Sequence, residues 1–228
     1  MTTSTFEAAS FDAAGTLIHL AEPVGLSYAR VARAHGIDAD PKALNASFSR
    51  CWKEVSLPFT STDLSRARDE RSWWRALVLD VFEQAGYLFQ SDLAYSNFFD
   101  ALYLHFESPG TWLPNKDASN TLERLADEFP LVILSNFDSR LRRILDDLAL
   151  LSYFDTLFIS CEQKLSKPDP ELFARVARYL ELKPERIVHV GDDPICDWKG
   201  ATSAGFGLFK TGKNQPPLRA LLRQLSLA

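Results

Sequence analysis

Four short stretches of this chain carry side chains that could do chemistry. They are Asp12 with Gly15 and Thr16 close behind it, Ser135-Asn136, Lys167 in front of Pro168, and Asp192-Asp193 with Asp197 about one turn further on. Crowded carboxylates repel one another and raise one another's pKa unless a cation sits among them. An all-oxygen set suits Mg²⁺, which takes one or two carboxylates, waters and a substrate phosphate. A lysine and a serine or threonine nearby are the partners a phosphoryl oxygen wants. If the four stretches meet, the chemistry is phosphoryl or closely related group transfer, with an aspartate as nucleophile. Cys51, Cys161 and Cys196 are few, odd in number and far apart, so neither a zinc site nor a disulfide framework is expected, and the compartment is expected to be reducing and cytoplasmic.

Each stretch needs an element to carry it. The short apolar run 6–11 reads as a buried strand that delivers Asp12 at its C-terminal end, after which Gly15 lets the backbone turn sharply away. Leu131 to Leu134 is a second apolar run, ending in Ser135-Asn136, and Ile187 to Val190 is another, ending in Gly191-Asp192-Asp193. Candidate strands also cover 154–160 and 206–209, and helical periodicity covers 141–148, 169–180, 198–204 and 217–225. Strands alternating with helices of this length imply parallel pairing in a three-layer, Rossmann-like α/β core. Parallel sheets bind ligands at the C-terminal strand edge, where these polar residues would gather. Between Pro23 and Pro109 the pattern is helical throughout, with helices ending near His35-Gly36, opening at Asp40-Pro41, and covering 65–85 and 92–106. The division expected is therefore a core of 1–20 and 112–228 around an all-helical insert of 21–111.

Composition narrows the partners. At 228 residues, 46% hydrophobic and 24% charged, the chain has the balance of an ordinary globular protein. The net charge of −5 gives no electrostatic footprint for nucleic acid or an anionic membrane, and no apolar run is long enough to span a bilayer.

Taken together, the four stretches resemble the motifs of the haloacid dehalogenase superfamily of hydrolases. Asp12-x-x-Gly15-Thr16 is similar to its first motif, Leu131 to Asn136 to its second, Lys167-Pro168-Asp169-Pro170 to its third, and Gly191-Asp192-Asp193-x-x-x-Asp197 to its fourth. The resemblance implies that the helical insert is the family's mobile cap. It implies that Asp12 attacks the substrate and binds Mg²⁺ together with the Ala14 carbonyl and Asp192. Ser135, the Asn136 backbone N–H and Thr16 would then hold the transferring group. Lys167 would offset charge and hold Asp12, while Asp193 and Asp197 would fix Lys167 or waters on the metal.

One position departs from the pattern. Phosphatases of this family carry a general acid–base aspartate two residues after the nucleophile, and here Ala14 stands there. Such help is typically worth on the order of 10²–10⁴ in rate. The leading expectation is a Mg²⁺-dependent hydrolase of a small phosphorylated metabolite, borrowing an acid from Asp138 or the insert, or acting on a good leaving group. Alternatives are a phosphonoacetaldehyde-hydrolase-like reaction using Lys42 or Lys53, 2-haloacid dehalogenation, and a catalytically weak binding module. Trp73 and Trp74 read as core of the insert and its rim, His189 as a buried strand residue with its own partner, and Cys196 as an unactivated packed thiol.

Overall fold

The computed structural model describes residues 6–55 and 69–227, which divide into two compact units. One comprises the described residues up to His19 and from Leu113 onward, the other those between Leu20 and Trp112.

The first unit is built on a five-stranded parallel sheet. Its strands are β1 (Ala8–Phe11), β4 (Leu131–Ser135), β5 (Thr156–Ile159), β6 (Ile187–Gly191) and β7 (Gly207–Lys210), in the order β5-β4-β1-β6-β7. Two three-residue strands, β2 (Ile18–Leu20) and β3 (Trp112–Pro114), pair separately. Every residue of β1, β4 and β6 is buried. Neighbouring residues in a strand point to opposite faces, so continuous burial means that both faces are covered, as parallel sheets require. On one face, Leu172, Phe173 and Val176 of the helix Pro170–Leu180 and Ala201 of the short helix Gly200–Ser203 pack on Ala8, Val132, Leu134 and Ile187.

Register places the chemistry. Phe11 pairs with Ile133 on β4 and with Val190 on β6. The residues that follow, Asp12, Ser135 and Asp192, therefore leave three adjacent strands at one edge of the sheet. Several boundaries differ from the sequence expectation by a few residues. The strand over 154–160 is shorter, and the helix expected from Trp198 begins earlier, at Pro194, because Asp193 caps it. The Asp193 carboxylate accepts from Ile195 N and Cys196 N, and its carbonyl from Trp198 N, five residues on, making a wide turn over Pro194–Lys199.

The second unit contains α1 (Val24–Ala34), α2 (Pro41–Glu54), α3 (Glu70–Gln84) and α4 (Asp92–His105). Residues 65–68, the expected beginning of α3, lie outside the described residues. Three N-caps follow local chemistry: Asp40 accepts from Lys42 N and Ala43 N, Asp69 from Ser72 N, and Ser91 from Ala94 N. The core is aromatic, with Tyr28 stacked on Phe82 and Phe82 edge-on to Phe98. Trp73 and Trp74 pack at its margin, their rings 4.9 Å apart. None of the helices among the described residues is long and apolar enough to cross a membrane.

Candidate active site

Asp12 is anchored from behind, its backbone N–H donating to Val190 O on β6 at 2.9 Å. The chain then turns on Ala13, whose carbonyl accepts from Thr16 N, Leu17 N and Ile18 N, while Gly15 N donates to Ile18 O. Neither set of bonds uses the Ala14 carbonyl.

Three of the other stretches converge on the Asp12 carboxylate. Its Oδ1 accepts from Ser135 Oγ at 3.0 Å and from Lys167 Nζ at 2.7 Å, and among the described residues no donor reaches Oδ2. Lys167 is 1% exposed and donates also to Asp197 Oδ1 at 2.5 Å. Asp197 is committed on every side. Its Oδ1 accepts from Lys167 and His189 Nε2, and its Oδ2 from the Asp193 backbone N–H at 2.9 Å. Asp192 completes the group: carboxylate oxygens of Asp12, Asp192 and Asp197 lie within 4.8 Å of one another.

Several roles expected from the residue types change in detail once partners are known. Thr16, expected on the phosphate, is 1% exposed and gives its hydroxyl to Asp192 Oδ1 at 3.1 Å, so it orients a carboxylate. Asp193 does not hold Lys167 through its side chain, which caps the following turn; only its backbone N–H reaches Asp197. The Asn136 side chain brackets the Lys167 backbone, with Nδ2 donating to Lys167 O at 2.9 Å and Lys167 N donating to Oδ1 at 2.7 Å. Asp138, considered as a proton donor, is buried with both carboxylate oxygens bound to the Arg140 guanidinium in a two-pronged ion pair. Lys42 and Lys53 are exposed on α2. Burial pushes the Cys196 thiol up to about 12, which leaves it protonated and unreactive.

The electrostatics follow from gathering two buried carboxylates and a half-buried one around one ammonium. Burial raises Asp12 to about 7, with Lys167 opposing and Asp197 and Asp192 adding to the rise. Burial raises Asp192 too, against the bond from Thr16. For Lys167, burial disfavours the charge, but Asp12 and Asp197 outweigh it and hold the ammonium. In Asp197 the same contest is won by Lys167 and His189, which keep the carboxylate ionised. Two negative charges therefore remain without a protein cation when all three carboxylates are ionised.

That excess is the fit test for a divalent metal, and the donor set passes it. The Asp12 and Asp192 carboxylates and the Ala14 carbonyl are hard oxygen donors of the kind Mg²⁺ takes. Gly15 and Gly212 leave room for Asp192 to stand there: a Cβ on Gly212 would lie 2.9 Å from Asp192 Cβ, and one on Gly15 would meet the carboxylate itself.

Reasoning from sequence passes over Ser10, a polar residue inside an otherwise apolar strand, and sees His189 only as a satisfied strand residue. The available signal is register: His189 lies three residues before Asp192, on a strand next to the one carrying Asp12.

A parallel sheet that gathers one aspartate, one lysine and a second pair of carboxylates at its C-terminal edge defines a hydrolase of the haloacid dehalogenase type. The model of the haloacid dehalogenase-like hydrolases matches residues 6–205, and the chain belongs to that family. Among individual proteins, human haloacid dehalogenase-like hydrolase domain-containing protein 3 is 35% identical over 201 residues, covering 88% of this chain and 79% of that protein. Two solved structures share the fold. The putative HAD-hydrolase YfnB from Bacillus subtilis, bound to magnesium, has a TM-score of 0.72 at 18% identity, covering 97% of this chain and 99% of that one. The L-2-haloacid dehalogenase from Xanthobacter autotrophicus has a TM-score of 0.68 at 20% identity, with coverages of 98% and 84%.

Proposed function

We propose that this chain is a Mg²⁺-dependent hydrolase of a small phosphorylated metabolite, with Asp12 as nucleophile. The observation that supports it most is the state of the Asp12 carboxylate. Ser135 and Lys167 hold Oδ1, which fixes the plane of the group and leaves Oδ2 to attack. Asp12, the Ala14 carbonyl and Asp192 would hold the metal, which supplies a Lewis acid beside the transferring group. The excess of carboxylates favours this over 2-haloacid dehalogenation, because a halide leaves without a metal and an anionic substrate gains nothing from added negative charge.

In this reading Asp12 Oδ2 bonds to phosphorus as the ester P–O bond breaks, giving an aspartyl phosphate. Lys167 offsets the negative charge that moves onto the transferring oxygens. A water then attacks phosphorus, the Asp12–phosphorus bond breaks, and phosphate leaves with the carboxylate restored. Ala14 has no proton to give, so the departing alkoxide takes its proton from solvent. The reading therefore favours phosphate bound to a weakly basic leaving group. The test is a panel of phosphate esters assayed with Mg²⁺ on the wild type and on Asp12→Asn. Turnover is expected in the first and none in the second; undiminished turnover in Asp12→Asn would remove the nucleophile assignment.

A further inference from the structure

His189 lies beneath the site at 0% exposure, on a strand where Ile187, Val188 and Val190 are equally buried and apolar. An imidazole in such a place is unfavourable unless both ring nitrogens find partners. Both do. Nε2 lies 3.1 Å from Asp197 Oδ1 and Nδ1 lies 2.9 Å from Ser10 Oγ on the neighbouring β1. Phe173 meets the ring edge-on, with centroids 5.4 Å apart, and so restricts its plane.

The partners dictate the proton positions. Asp197 Oδ1 already accepts from the Lys167 ammonium and is an ionised acceptor, so the proton on the ring is on Nε2. Nδ1 is then bare, and the Ser10 hydroxyl donates to it. Burial also lowers the imidazole pKa, in keeping with a neutral ring. A relay results, running from Ser10 through His189 and Asp197 to Lys167 and ending on Asp12. The Ser10–His189 link follows from strand register, and the later links join residues of the Pro194–Lys199 turn and of the loop before Pro168.

We infer that His189 is a positioning residue for the hydrolytic site: as the neutral Nε2–H tautomer it fixes the Asp197 carboxylate, which in turn aims the Lys167 ammonium at Asp12. The functional half of this inference rests on the hydrolase reading above; the structural half does not. His189 is fully buried and meets Asp12 only through Asp197 and Lys167. Its effect is to remove rotational freedom from Asp197, whose Oδ1 must face Lys167 and whose Oδ2 must face the Asp193 N–H.

Two substitutions of similar size separate this role from simple packing. In His189→Gln the amide nitrogen falls near the position of Nε2 and keeps the donor to Asp197. In His189→Asn the shorter side chain keeps a polar group toward Ser10 but cannot reach Asp197. With any phosphate ester turned over by the wild type, His189→Gln should retain kcat within about threefold, while His189→Asn should lose about 10–100-fold, the range seen when a group that orients a site ligand is removed. Melting temperatures measured alongside identify any loss due to unfolding. Equal kcat in the two folded variants would overturn the inference.

A readout without turnover keeps the structural half separable from the functional one. ¹⁵N spectra of the wild type should show His189 with a protonated Nε2 and a bare Nδ1. The Lys167 ammonium, sheltered from solvent, should exchange its protons slowly in the wild type and in His189→Gln, and faster in His189→Asn. A ring protonated on Nδ1, or unchanged Lys167 exchange in His189→Asn, would defeat the positioning role whether or not any ester is hydrolysed. If no ester is hydrolysed while the spectra come out as stated, the positioning geometry stands and the phosphatase reading falls.

Discussion

A Cβ added to Gly15 would collide with both carboxylate oxygens of Asp192, although the two residues lie on different loops at opposite ends of the chain. Gly15 has φ +93°, a conformation that side chains rarely adopt, so the turn after Asp12 requires glycine twice over. The backbone needs the angle, and Asp192 needs the space. Gly15→Ala should destabilise the fold by about 1–3 kcal/mol through strain alone. It should also displace the Asp192 carboxylate and shrink the rise in melting temperature on adding millimolar Mg²⁺. A full Mg²⁺ shift in Gly15→Ala would show that Asp192 does not share in the metal site.

If Mg²⁺ binds as proposed, the Asp12 carboxyl couples its binding to pH. Its folded pKa, about 7, lies above the unfolded value. The neutral acid thus stabilises the metal-free fold below the unfolded pKa, and that contribution is lost as pH rises through 7. Mg²⁺ requires the carboxylate, so its affinity should climb with pH and level off above about 7. Thermal melts at fixed Mg²⁺ should show a larger shift at pH 8 than at pH 6. Equal shifts would place Asp12 outside the metal site.

Ala14 predicts a steep dependence on the leaving group. Aryl phosphates should be hydrolysed far faster than alkyl phosphates, because the alkoxide departs without a protein acid. Ala14→Asp should raise alkyl phosphate hydrolysis, by a factor on the order of 10² or more if the new carboxyl reaches the departing oxygen. A rate independent of leaving-group pKa in the wild type would point to a proton donor elsewhere.

The Asp138–Arg140 pair should matter to stability and little to chemistry. Both side chains are buried, and Arg140→Leu would leave the Asp138 carboxylate without its cation. The expected loss is about 3–5 kcal/mol. Denaturant titration should show it, with kcat of the folded protein kept within a few-fold. A large fall in kcat at unchanged stability would instead give Asp138 a part in the reaction.

Much of this was written locally in the chain. The apolar runs that become β4 and β6 ended in the polar residues that reach the sheet edge, because burial on both faces leaves a parallel strand little room for polar residues until it emerges. Asp40-Pro41 and Asp169-Pro170 opened helices for reasons contained within four residues: a side-chain acceptor for the first free N–H groups and a proline where no donor is required. The Asp12, Lys167 and Asp192 set was visible from residue type and from where strands stop.

What tertiary structure alone decided was which polar group each of them meets. Thr16 is spent on Asp192, the Asn136 amide on the Lys167 backbone, and His189 on Asp197. These pairings depend on how parallel strands and the loops at their ends pack together, and nothing in a side chain's own neighbourhood announces such a partner. Pairing across 31 or 176 residues is set by which strands lie side by side, and that order comes from packing the whole sheet.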